Sequence, residues 1–268
     1  MKTLQIIYRP AGRAGEYAEL AANLYSGCVH GCLYCYAPQA LRRNRADFHE
    51  NVKPRKDALK KFERDCRALA DNDFGDSPQK TGQSLKILLS FTCDPYQQLE
   101  SEWQLTRQAI KIAHKCGLGV QILTKAPATA SYDFDLLGPT DAFAVTLTFL
   151  DSRDSRHWEP LADPPEDRIH GLERAKRLGI PTWASLEPVI DPEQSLSLIE
   201  MTAPVVDLFK VGKLNYHPLA KEIDWHDFGW KAKELLEKLG KKYIIKEDLK
   251  REMRRRVAGD DTSKTSRG

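Results

Sequence analysis

One step recurs along this chain: an apolar run, an amphipathic helix, a glycine, then another apolar run. Short apolar runs fall at 18–24, 85–91, 119–123, 142–149, 181–190, 205–211 and 242–245. Between them, helical spacing predicts helices at 55–70, 102–116, 165–178 and 232–239. The last three of these stop at Gly117, Gly179 and Gly240. Glycine is the residue that most readily takes the left-handed conformation just past a helix end. Strand–helix alternation of this kind predicts an α/β fold with parallel strands under covering helices. About six βα units fit the length, as a partial (βα)6 TIM-type barrel with its active site at the C-terminal strand ends. A doubly wound open sheet is the competing arrangement. A single core domain is expected over 1–257, with a C-terminal extension, and a disordered polar tail over 258–268.

Composition supports a globular chain, since 41% of the residues are hydrophobic. No stretch approaches the roughly 18 apolar residues that a membrane helix needs, so no membrane partner is expected. The first residues show no charged region followed by an apolar core, as a signal peptide would. The expected location is the cytoplasm. The net charge of +3 says little about partners, but basic residues cluster at Arg42, Arg43 and Arg45, over 53–61 and over 250–256. Such clusters either bind phosphate backbones or form solvated helix faces.

Six cysteines are present, three of them packed between Cys28 and Cys35 with the spacing C-x3-C-x2-C. Cys66, Cys93 and Cys116 are scattered. Clustered cysteines in a long chain without a secretion signal point to a metal site or to catalysis rather than to disulfides. The segment follows an apolar run and holds Gly27 and Gly31, so it reads as a loop at a strand end on which three thiolates can converge. Iron–sulfur cubanes usually take four Cys ligands; three leave one iron open for a ligand. Zinc held by the three cysteines with His30 or His49 is the chemical alternative, and buried structural thiols are the plain one.

The segment matches the radical SAM signature C-x3-C-x-aromatic-C, with Tyr34 at the aromatic position. It resembles, more narrowly, the spore photoproduct lyase family, which also sets tyrosines on both sides of the third cysteine, as Tyr34 and Tyr36 do here. The resemblance spans about 20–250. It implies a partial barrel of the radical SAM kind. It also implies a [4Fe-4S] cluster on Cys28, Cys32 and Cys35, with S-adenosylmethionine chelated at the open iron through its amino and carboxylate groups. One-electron reduction, from a donor such as flavodoxin or ferredoxin, then gives methionine and a 5′-deoxyadenosyl radical. The implied substrate lies in nucleic acid, as in repair of a damaged pyrimidine pair. Radical modification of a peptide, nucleoside or small metabolite is an alternative. A non-catalytic iron–sulfur or zinc protein is an alternative of another class.

Further stretches fit the family. Ser90-Phe91-Thr92-Cys93-Asp94-Pro95-Tyr96 is similar to its Ser-x-x-Thr-Asp-Pro-Tyr, with Cys93 in place of the threonine. Ser90, Thr92 and Asp94 are thereby expected to face the cofactor, with Asp94 as an acceptor for an ammonium or the head of an Asx turn. The family's hydrogen-donating cysteine lies three residues before the aspartate. Cys93 lies one residue before it, and a two-residue offset keeps the face of a strand. Cys93 is therefore a candidate hydrogen donor, with Tyr34 or Tyr36 as relay; a lone small core residue is its other reading. Lys125 follows Thr124, as in a family Thr-Lys whose amine meets the methionine carboxylate; it otherwise reads as a solvated lysine. Thr146 and Thr148 share a face and can reach ribose or carboxylate. Glu187, Lys213 and Asn215 are charged or polar groups late in apolar runs, which need partners or a polar cavity. Glu187 is the cofactor-side candidate among them, and all three can serve the substrate. Trp225, Phe228 and Trp230 can stack on bases or pack.

Overall fold

A computed structural model describes residues 4–71 and 85–255. The tail expected over 258–268 lies outside the described residues. Ten strands form: β1 (Ile7–Tyr8), β2 (Leu20–Ala22), β3 (Tyr25–Ser26), β4 (Lys53–Pro54), β5 (Lys86–Leu89), β6 (Gly119–Thr124), β7 (Ala142–Thr146), β8 (Thr182–Leu186), β9 (Leu208–Val211) and β10 (Lys242–Ile245). The helices are α1 (Ala37–Ala40), α2 (Arg45–Glu50), α3 (Ala58–Ala70), α4 (Glu100–Trp103), α5 (Leu105–Lys115), α6 (Pro127–Ala130), α7 (Ser152–Trp158), α8 (Pro165–Arg177), α9 (Pro192–Thr202), α10 (Trp225–Lys238) and α11 (Glu247–Arg254).

Each predicted apolar run contains one strand of the main sheet. Its order is β1-β2-β5-β6-β7-β8-β9-β10, and all neighbours are parallel except β1 with β2. Every parallel strand thus lies beside its predecessor in the sheet. A doubly wound sheet reverses its order at a switch point; this one does not. β3 and β4 pair separately as a small antiparallel ribbon that brackets the cysteine loop.

The sheet curls. Along β5 to β9, residues of one parity pack under the helices, among them Ile87, Ile122, Phe143, Val145, Ala184 and Phe209. The other parity turns inward, and Leu88, Leu123, Ala144, Trp183 and Leu208 gather with Ala21 and Tyr17. The curl brings β9 toward the segment that precedes β2, for Lys210 Nζ donates to the carbonyl of Tyr17 at 2.6 Å. Inward positions become polar toward the C-terminal ends: Lys125 after β6, Thr146 on β7, Ser185 and Glu187 at β8. Those groups form the mouth.

Two helices depart from expectation. The predicted helix 102–116 is broken at Gln104, which sits at φ 46° between α4 and α5. α10 begins seven residues before the predicted 232, at Trp225, where the Asp224 side chain caps the amide of Asp227. Trp225 and Phe228 are therefore core residues, not base-stacking ones, and only Trp230 is exposed.

Candidate active site

A cavity of about 530 Å³ opens at the C-terminal strand ends. Cys28, Cys32 and Cys35 line one side of it, together with Tyr34, Tyr36, Ser90, Thr92, Cys93, Asp94, Lys125 and Thr146. Tyr17, Ser185, Glu187, Lys213, Asn215 and Lys246 line the other. All the expected site residues meet there except Thr148, which is fully buried and donates to Glu159 Oε1 at 3.0 Å.

The cysteine loop leaves β3 through Gly27, at φ 92°, and is pinned by its backbone. The amide of Val29 donates to Gln97 Oε1 at 2.9 Å, and that of Leu33 to the Trp158 carbonyl at 2.8 Å. The amide of Cys35 donates to the Cys32 carbonyl at 3.0 Å. The three thiols form no disulfide. Burial pushes all three up, Cys32 to about 12. Alone they would stay protonated, whereas a cationic metal centre draws such protons off.

The donor set fits an iron–sulfur cluster with one open iron: three soft thiols on one loop, facing one cavity. Zinc with a histidine fits less well. His30 is engaged at both ring nitrogens, with Nδ1 2.8 Å from the Leu161 carbonyl and Nε2 3.1 Å from Asp94 Oδ2. His49 turns Nδ1 to the Cys28 carbonyl at 2.8 Å and keeps a buried Nε2 free, so the case against zinc rests on convergence. Among the described residues, no three His, Cys, Asp or Glu side chains gather around a single-ion site. Tetrahedral zinc needs that convergence.

Asp94 does more inside the chain than its sequence suggests. Its carboxylate accepts from Thr124 Oγ1 (2.6 Å), the Tyr96 amide (2.9 Å) and the Lys125 amide (2.7 Å). Burial raises its carboxyl, but His30 and these donors outweigh that and hold it at about 2. Asp94 thus orders the turn that carries Lys125, in addition to lining the cavity. Thr92 is held likewise, its amide donating to Asn23 Oδ1 at 2.8 Å. Strand parity does not place Cys93, because β5 ends at Leu89 and Phe91 takes φ 124°. Cys93 nevertheless reaches the cavity wall, buried, with its thiol 3.7 Å from Asn23 Oδ1.

Sequence reasoning missed Glu159. This buried carboxylate, in the loop after α7, pairs with Arg168 at 2.6 Å and lies 4.0 Å from Lys125 Nζ. It also accepts from the Tyr34 hydroxyl. Lys125 Nζ lies 5.7 Å from the Tyr34 ring centre. Nothing in the sequence marks Glu159, since its partners come from four separate segments. Tyr36 is 42% exposed and donates to the Phe91 carbonyl at 3.4 Å.

On the opposite wall Glu187 accepts from Tyr17 Oη at 2.6 Å and Lys246 Nζ at 2.8 Å. Its carboxylate lies against Gly212, where a Cβ would meet Glu187 Cδ at 2.7 Å. Lys213 pairs with Glu252 at 2.5 Å, and Asn215 donates to Asp248 at 2.9 Å. Tyr216 stands at the rim, 69% exposed at φ 60°, with Arg13 at 5.1 Å from its ring centre.

No protein-family model matches the sequence. Curated relatives include the uncharacterized protein ORF301 of Acidianus two-tailed virus, 25% identical over 189 residues, 65% of this chain and 57% of that protein. The uncharacterized protein MJ0683 of Methanocaldococcus jannaschii is 26% identical over 176 residues, 65% of this chain and 61% of that protein. The chain thus spans about three fifths of the length of these relatives. Among solved structures, spore photoproduct lyase complexed with dinucleoside spore photoproduct superposes with a TM-score of 0.68 at 13% identity, covering 90% of this chain and 79% of that one. Streptococcus suis SuiB bound to S-adenosylmethionine gives 0.58 at 15%, covering 83% and 45%. With the sheet order, the curled wall and the cysteine loop at its mouth, these likenesses show that the chain has the fold seen in spore photoproduct lyase.

Proposed function

We propose that this protein is a radical SAM enzyme, with Cys28, Cys32 and Cys35 holding a [4Fe-4S] cluster and the adjoining cavity taking S-adenosylmethionine. One observation carries the reading: three thiols on one loop open into a cavity of about 530 Å³, within the usual range for small-molecule sites. When bound, the cluster and cofactor supply one-electron cleavage to methionine and a 5′-deoxyadenosyl radical. The chain supplies placement. Lys125, oriented by Asp94 through its amide and by Glu159 through its amine, offers a cation to a carboxylate. Ser90 and Thr146 offer hydroxyls beside it. Tyr34, its hydroxyl committed to Glu159, keeps its ring packed beside the loop. Cys93 and Tyr36 lie on the same wall and are our candidates for passing a hydrogen atom.

For the substrate we favour nucleic acid, in the manner of photoproduct repair. The support is the likeness to spore photoproduct lyase over nine tenths of this chain. A peptide is the second reading, because SuiB bound to precursor peptide SuiA is also similar in structure, with a TM-score of 0.60. The reading brings with it a flavodoxin or ferredoxin as reductant and a reducing compartment such as the cytoplasm. Among the described residues no helix is long and apolar enough to cross a membrane.

Anaerobic reconstitution, dithionite reduction and addition of S-adenosylmethionine test the chemistry. We expect 5′-deoxyadenosine from the wild type and none from Cys32→Ala. A fully loaded wild type that releases none overturns the proposal. DNA carrying thymine photoproducts, offered beside undamaged DNA and peptides, then tests the substrate. If Cys93 donates hydrogen, Cys93→Ala changes the product partition on that DNA.

A further inference from the structure

We infer that helix α2 is a clamp that pre-shapes the cysteine loop, with Arg45 and His49 as its positioning residues. The inference rests on the cluster assignment above and adds residues that the signature does not contain. Arg45 and His49 are four apart, so they share one face of α2. That face meets the carbonyl oxygens of all three cysteines. Arg45 donates through Nη1 to the Cys35 carbonyl at 3.1 Å, and through Nη2 to the Cys32 carbonyl and to that of Leu33 at 2.8 Å. His49 Nδ1 holds the Cys28 carbonyl at 2.8 Å. Between them, the Phe48 carbonyl accepts the Cys28 amide at 3.3 Å.

Two features make this a built contact. Gly27, just before Cys28, has no Cβ where one would collide with the Phe48 carbonyl. The helix can therefore lie directly on the loop. Arg45 also has no carboxylate partner among the described residues, so its fork and its charge are both spent on the loop. A planar guanidinium is pre-organised to bind several acceptors at once, which a lysine cannot copy. Fixing the carbonyls fixes the peptide planes from which the three thiols project. The uncompensated cation also favours the more negative, reduced state of a cluster held there.

The two roles separate in Arg45→Met and Arg45→Lys. Arg45 is exposed, so both variants keep the core. In the full-length metal-free chain, hydrogen exchange at the amides of Cys28, Val29, Leu33 and Cys35 should quicken at least tenfold in Arg45→Met and also in Arg45→Lys. In the loaded protein, Arg45→Met should lower the equilibrium constant for cluster reduction about tenfold, or 59 mV for one electron. Arg45→Lys should restore most of that shift. Wild-type exchange rates at the loop amides in Arg45→Met overturn the clamp. A wild type that takes up no cluster sinks the functional reading instead, and the exchange experiment on the metal-free chain still decides the clamp.

Discussion

On the cysteine side of the cavity the backbone is tied by neighbouring groups, and the thiols meet backbone amides rather than side-chain partners, Cys28 at His30 and Asp94 and Cys35 at Ala37. Across the mouth, the strands already fix the backbone, and side chains tie one another instead: Glu187 with Lys246, Lys213 with Glu252, Asn215 with Asp248. The first wall is prepared to receive an outside group through atoms held in reserve. The second presents ion pairs that a ligand must displace or extend. A cofactor that stays bound suits the first arrangement, and a substrate that comes and goes suits the second.

The largest test attacks what stands behind the cysteine wall. Glu159→Ala leaves Arg168 buried and unpaired, which typically costs about 3–5 kcal/mol. Urea unfolding should show that loss, and Tyr34 should lose its acceptor. Next comes pH. Glu100, gripping Tyr25 on the strand that leads into the cysteine loop, has its carboxyl raised by burial to about 7. A raised carboxyl binds its proton more tightly folded than unfolded. Its contribution to stability is therefore fullest below about 4.5 and is lost as pH rises through 7, by about 3 kcal/mol. Glu100→Gln should flatten that slope; an unchanged slope assigns it to other groups.

The far wall should respond less. Gly212→Ala drives a Cβ into Glu187 and should cost about 1–3 kcal/mol, as overpacking does. It should shift substrate binding more than S-adenosylmethionine cleavage. Equal loss of both would dissolve the distinction between the walls. Smallest of all, Tyr216→Ala at the exposed rim should change stability by no more than about 0.5 kcal/mol, so any change in turnover there belongs to the substrate.

Much of the frame was legible because it is local. Apolar runs located the seven parallel strands, and Gly117, Gly179 and Gly240 stop their helices at φ 71°, 75° and 65°. The cysteine loop was legible because its three cysteines lie within eight residues. What escaped depends on contacts through space. Glu159 has no motif and gains its meaning only from Arg168, Tyr34, Thr148 and Lys125. α9 has a mixed face, with Ser195 and Thr202 among its buried residues, and leaves no clean period to read. Cys93 was read by strand parity, but the chain had already left the strand.

The sheet order has a consequence for how the chain assembles. Each parallel strand docks beside one made just before it, so the wall can grow in the order of synthesis, with low cost for each step. The contacts that seal the mouth are of another kind: Tyr17 with Ser185 and with Lys210 spans 168 and 193 residues. They form only after β8 and β9 have emerged. Until then the cysteine loop, made near the start, lacks the opposite wall of its cavity, so in a nascent chain its thiols should be more open to outside reagents than in the finished fold.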